Sequence, residues 1–226
     1  MNKKLWVGLF GLALVCDLAC IQLQLQSVRL VTKPLIVLFL LGYFIDSVQL
    51  VPTSQKWWVV GALGLSWLGD VLLLFEERNA LFFILGLSSF LLAHICYIVF
   101  FNQIRKAERM KGHVMLFLFV LLYYAALMQL LSPELGDMKV PVWIYGAVIC
   151  LMLWIALHLN KVSHNNSGRF IMVGALLFVL SDSALAINKF YQPFAGAGIV
   201  IMLTYGLAQW FIVEGSVRWL HNQLRA

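Results

Sequence analysis

The stretch Ser66-Trp67-Leu68-Gly69-Asp70-Val71-Leu72-Leu73-Leu74-Phe75 sets a carboxylate in the middle of an apolar run long enough to cross a bilayer. A second such stretch, Leu180-Ser181-Asp182-Ser183-Ala184-Leu185-Ala186-Ile187, comes much later in the chain. An ionised Asp at the centre of a bilayer helix costs roughly 2.5–3.5 kcal/mol on insertion scales, so each needs a partner or a task. In both, the Asp follows a small residue and precedes a Leu by three positions. Two carboxylates in matching contexts point to one polar site shared inside a helical bundle.

Composition supports that setting. Apolar residues make up 62% of the chain and charged residues 12%, and mean hydropathy is +0.91. An ordinary soluble domain is about 45–50% apolar and about 25% charged. The chain therefore reads as an all-α, polytopic membrane protein, one integral domain over residues 1–226. The net charge of +6 does not indicate a nucleic-acid partner, because the basic residues sit in short connections between apolar runs. Cys16, Cys20, Cys96 and Cys150 all lie inside those runs, where a thiol behaves as a small hydrophobe. No disulfide framework and no paired metal ligands are expected. Met1-Asn2-Lys3-Lys4 opens like a signal peptide, but the long run that follows reads as a first, retained membrane helix.

A span needs about 20 mostly apolar residues. Eight candidates meet that standard, at 5–23, 34–51, 57–75, 81–101, 113–131, 141–159, 169–187 and 194–217. An even number puts both termini on one side. That side then collects eleven of the 16 Lys and Arg residues, among them Lys56, Arg105, Lys106, Arg109, Lys111, Lys161 and Arg225. The remaining five are Arg29, Lys33, Arg78, Lys139 and Lys189. The positive-inside rule then places both termini in the cytoplasm. The offset of 112 residues between Asp70 and Asp182 also superimposes Gly86 on Gly198, which suggests a parallel four-plus-four internal repeat.

Asp70 and Asp182 then lie at similar depth, about two-thirds of the way outward along the third and seventh spans. Helical spacing puts Ser66 on the face of Asp70 and aligns Phe178, Asp182, Ala186 and Lys189. Two facing carboxylates cannot both ionise easily. One is expected to hold a proton and the other a charge, the arrangement of a general acid beside a base or cation stabiliser. The plain structural alternative is that each Asp only hydrogen-bonds a neighbouring helix. Phe90, His94 and Tyr97 share another face, and a lone His there reads more readily as packing than as chemistry. Asp17 and Asp46 are expected in structural pairs. Lys33-Pro34 reads as the start of the second span, with Lys33 either snorkelling or meeting a lipid phosphate together with Lys189 or Arg78. H-E-x-x-H, G-x-S-x-G, P-loop and Rossmann signatures are absent, so serine-hydrolase and zinc-protease chemistry has no support.

Several of these motifs together resemble the YhhN-like lysoplasmalogenase family of integral membrane proteins. They are Lys33-Pro34, Gly69-Asp70-Val71-Leu72-Leu73, Gly86-Leu87 through Phe90, Ala93-His94 and Tyr97. Gly174-Ala175-Leu176-Leu177-Phe178 follows, leading into Ser181-Asp182-Ser183. The resemblance implies an eight-helix enzyme with no cofactor or metal requirement, acting on a lysophospholipid partner. It would hydrolyse the vinyl ether bond to a fatty aldehyde and glycerophospho-ethanolamine or -choline. It also implies catalytic roles for Asp70 and Asp182. Lys33, His94, Tyr97, Ser66, Ser181 and Lys189, polar residues in or beside the same spans, are the candidates to bind substrate. The residues alone equally allow a proton-coupled carrier of small molecules or lipids, or a non-catalytic lipid-binding protein. The basic bias and short loops suggest a bacterial inner membrane. The sequence leaves open which Asp is the acid.

Overall fold

In the computed structural model, which describes residues 3–110, 112–162 and 166–223, every regular element is helical. Lys111 and Arg225, used in the charge reading, and Met1 and Asn2, which open the first apolar run, lie outside the described residues. Eight long helices follow one another among those described: α1 (Lys3–Gln22), α2 (Gln26–Val48), α3 (Lys56–Leu73), α4 (Ala80–Ala107), α5 (Val114–Leu131), α6 (Lys139–His158), α7 (Ser167–Ala186) and α8 (Ala197–Asn222). Seven are long and apolar enough to cross a membrane, which makes the chain an integral membrane protein. The eighth, α3, is not among the seven, because Lys56 and Asp70 both fall within its 18 residues.

Two boundaries differ from expectation in ways that shape the site. Helix α2 begins at Gln26, two turns before the expected start, and Pro34 lies inside it. A proline there leaves the Leu30 carbonyl without its intrahelical donor, yet the helix continues through it. Lys33 is thereby a mid-helix residue aimed inward, 8% exposed, and not a residue snorkelling from a helix start. Helix α7 passes at Ile187 into a π-helical turn, Ile187–Tyr191. The extra residue per turn shifts the register and carries Lys189 off the face of Asp182.

The helices pack as a ring of six, in the order α2–α3–α4–α6–α7–α8 and back to α2. Helix α1 lies outside it against α2 and α8, and α5 lies outside against α6 and the π turn. Local chemistry sets the entries. Asn79 caps α4 by accepting a hydrogen bond of 2.9 Å from the Leu81 amide, a strongly favoured role for Asn. Small residues set the closest crossings, as is general in membranes. A β-carbon on Gly69 would lie 2.6 Å from the Phe90 ring, and one on Gly174 would lie 2.8 Å from the Ala208 carbonyl oxygen. Helices α3 and α4 therefore meet tightly beside Asp70, as α7 and α8 do about two turns before Asp182.

Candidate active site

Each helix of the ring contributes to one cavity of about 80 Å³. Lys33 comes from α2, Asp70 from α3, Phe90 from α4, Tyr145 from α6, Asp182 from α7 and Tyr205 from α8. The two aspartates, 112 residues apart in the sequence, thus line the same small space.

Their surroundings differ. Asp70 is 2% exposed. It accepts a hydrogen bond of 2.7 Å from the Tyr205 hydroxyl at one oxygen, and the Lys33 ammonium stands 3.5 Å from the other. A fixed cation and a donating hydroxyl both favour the charged carboxylate. The Tyr205 hydroxyl is directed at Asp70 by the group behind it. Its oxygen receives the Gln209 amide N–H at 3.3 Å, and the Gln209 carbonyl accepts the Tyr97 hydroxyl at 2.7 Å. With its lone pair engaged, Tyr205 has its proton to give to Asp70. Asp182 has no cation against it among the described residues. The Tyr145 hydroxyl donates to its Oδ2, and part of the residue stays open toward the cavity.

Of the other sequence candidates, Lys33 and Ser181 line the cavity, Ser181 donating to the Ile201 carbonyl at 2.9 Å. His94 and Tyr97 are fully buried behind the wall. The His94 ring stands edge-on to Tyr145 and Phe178, with centroids 5.4 and 4.6 Å away, and neither of its nitrogens has a hydrogen-bond partner among the described residues. Ser66 is also fully buried, its hydroxyl likewise unpartnered there. Lys189 lies at the protein surface, 3.0 Å from Glu76 and over the Phe83 ring. Asp17, expected in a structural pair, accepts from Thr32 at 2.7 Å and from Arg29 at 3.4 Å.

Sequence alone does not single out Tyr145 and Tyr205, because tyrosines near the ends of apolar runs ordinarily serve as interfacial anchors. A signal existed for Tyr205: it and Gln209 form an i, i+4 polar pair in the interior of α8. Phe90 and Phe178 both stand edge-on to the Tyr205 ring, with centroids 5.8 and 5.5 Å away, and hold it in place.

The cavity joins a larger vestibule of about 460 Å³ through shared walls at Lys33, Leu73, Leu185, Ile201 and Met202. The vestibule lies at the end of the bundle that carries the α1–α2 and α3–α4 connections. Its charged lining has both signs, with Arg29 and Arg78 beside Glu76 and Glu77. Among the described residues, no group of three or more His, Cys, Asp or Glu side chains could hold a metal ion.

The YhhN family profile matches residues 28–216, a region holding every residue of the site. The chain is similar to the human protein named Lysoplasmalogenase TMEM86B, 34% identical over 70% of this chain and 62% of the relative. It is 32% identical to human Lysoplasmalogenase TMEM86A over 80% of this chain and 72% of that protein. A Mycobacterium tuberculosis protein named Lysoplasmalogenase is 30% identical over 71% of this chain and 60% of its own length. The match thus spans a little under two thirds of the TMEM86B and mycobacterial relatives. No solved structure matches the chain. By the extent of the profile match and the order of its motifs, the chain belongs to the YhhN family.

Proposed function

We propose that the protein is a lysoplasmalogenase, hydrolysing the vinyl ether of 1-alkenyl lysophospholipids to a fatty aldehyde and the glycerophospho-alcohol. The observation that carries this reading is the pair of carboxyl groups on one small cavity with unlike partners. Asp70, beside Lys33 and Tyr205, is the ionised member. Asp182, with a tyrosine and no cation, is the protonated one.

The reaction then runs as follows. Asp182 gives its proton to the β-carbon of the vinyl ether, and the double-bond electrons form the new C–H bond. The cation left is shared between C1 and the ether oxygen, and Asp70 stabilises it by charge. Water attacks C1 and yields its proton to Asp70 as general base, giving a hemiacetal. Asp182, now ionised, takes the hemiacetal hydroxyl proton as the C1–O bond to glycerol breaks, and Asp70 returns its proton to that oxygen. Both groups end as they began. The first step turns two neutral groups into an ion pair and leaves the net charge of the site unchanged. In a site of low dielectric the attraction of the new cation for Asp70 and for the newly ionised Asp182 is stronger than in water, and it offsets the cost of separating charge there.

In this reading α3 is the eighth span, flanked by α2 and α4 and carrying its Asp to the shared cavity. Both termini are cytoplasmic, in a bacterial inner membrane, and the vestibule faces the opposite side. The parallel four-plus-four relation would extend over one integral domain. Lys33 and Ser181 lie close enough to touch substrate, whereas Ser66, His94 and Tyr97 hold the wall. The names of the relatives lend the carrier alternative no support. The test is aldehyde release by detergent-purified protein from a 1-alkenyl lysophospholipid. Turnover without a sealed vesicle, lost in well-folded Asp70→Asn and Asp182→Asn, is the expected result. An inert, well-folded wild type across head groups would overturn the proposal.

A further inference from the structure

The space around the aspartates is graded from charged to apolar. On the Asp70 side the cavity opens through Lys33 into the charged vestibule. On the Asp182 side two more cavities of about 40 Å³ each adjoin it. Both are walled by Val142, Tyr145, Asp182 and Ala186. Beyond these the lining is almost wholly hydrocarbon, including Phe190 of the π turn in one and Met128 of α5 in the other. Helix α5 is the loosest of the eight. It rests chiefly on α6 and the π turn, with Tyr123 hydrogen-bonded to Ser183 of α7, and its buried residues are Val120, Met128 and Leu131.

We propose that this crevice between α5, α6, α7 and the π turn takes the 1-alkenyl chain of the substrate, with Ala186 setting how much chain it admits. The proposal rests on the hydrolase reading and adds to it a direction for the substrate. A lysophospholipid has one charged end and one hydrocarbon end, and the site offers one place for each. The zwitterionic head group lies in the vestibule among Arg29, Arg78, Glu76 and Glu77. The chain passes Asp182 and Tyr145 and reaches the bilayer beside α5.

The direction fixes the order of reacting atoms. Along the substrate the sequence is glycerol oxygen, C1, β-carbon, chain. Along the cavity it is vestibule, Asp70, Asp182, crevice. The β-carbon, which must receive the proton, therefore falls nearest Asp182, and C1, which must receive water, nearest Asp70. This agrees with the roles drawn from their hydrogen-bond partners, although it uses none of them. The products part in opposite directions: the aldehyde leaves with its chain into the bilayer, and the glycerophospho-alcohol leaves through the vestibule.

The experiment compares hexadecenyl and butenyl lysophosphatidylethanolamine as substrates of wild type and Ala186→Phe, in detergent, by aldehyde release. Phe at this position fills space in both small cavities. The expected result is a fall of about tenfold or more in the ratio of long-chain to short-chain kcat/KM, the scale on which apolar pockets discriminate chain atoms. Should Ala186→Phe not survive extraction, Met128→Trp, on peripheral α5, makes the same test. Equal losses on both substrates, or an unchanged ratio, would overturn the chain route while leaving the hydrolase reading intact. A wild type inert on both chains would overturn the two together.

Discussion

Replacing Tyr205 by Phe removes a single oxygen atom from the site. The ring stays, packed edge-on between Phe90 and Phe178, so the crossing of α8 with α3 and α7 is preserved. Two hydrogen bonds go. One is the 2.7 Å bond to buried Asp70, and bonds of this kind to a charged group are worth about 1.5–3 kcal/mol. The other is the 3.3 Å bond from the Gln209 amide, whose loss leaves a buried donor unpaired at about 1–3 kcal/mol. The first loss acts on Asp70 as it stabilises the cation, and at 1.36 kcal/mol per decade it lowers kcat about 10- to 150-fold. The second acts on stability. Because Tyr205 acts through Asp70 and not on the lipid, KM stays near the wild-type value. The assay is the initial rate of aldehyde release against lysolipid concentration, on protein that elutes as a single species in detergent. A kcat within about twofold of wild type would refute the assignment of Asp70 as the charged member, and so would a loss confined to KM.

Lys33→Met removes the countercharge 3.5 Å from Asp70. At an effective dielectric of about 20 that pair is worth about 5 kcal/mol, so kcat is expected to fall at least as far as in Tyr205→Phe; a rise in KM alone would instead assign Lys33 to phosphate binding. Gly69→Ala sets a methyl group 2.6 Å from the Phe90 ring, which displaces Phe90 from Tyr205, and both melting temperature and kcat are expected to drop. Lys189→Met breaks a half-exposed pair with Glu76, a contact worth at most about 1 kcal/mol. KM for lysolipid should therefore stay within about twofold of wild type, and a larger rise would restore Lys189 to phosphate binding.

The two aspartates were legible because burying a carboxylate in an apolar run is costly enough to mark the residue, whatever surrounds it. Their convergence was legible as well, from matched depth on two spans. Lys33 was visible but misplaced. Pro34 is ordinarily a helix-start signal, and only tertiary packing carries α2 two turns further back. Lys189 was aligned with Asp182 on an α-helical period that the π turn breaks, and no local residue announces that break. Tyr145 and Tyr205 look like the tyrosines that anchor span ends. Their role depends on which helix faces which, and hydropathy is silent on that. Ser66 shares the face of Asp70 and His94 that of Phe90, but packing sets both behind the wall.

The reaction itself can be read from where a proton goes. Purified protein is given a 1-alkenyl lysophospholipid in deuterium oxide, the aldehyde is trapped at once by borohydride, and the resulting alcohol is examined by mass spectrometry. Protonation of the β-carbon by a carboxyl group in exchange with solvent predicts one deuterium on the carbon next to the former carbonyl. Asp182→Asn should abolish formation of that product. An aldehyde released with no deuterium at that carbon, or labelled product formed at the wild-type rate by Asp182→Asn, would contradict the account.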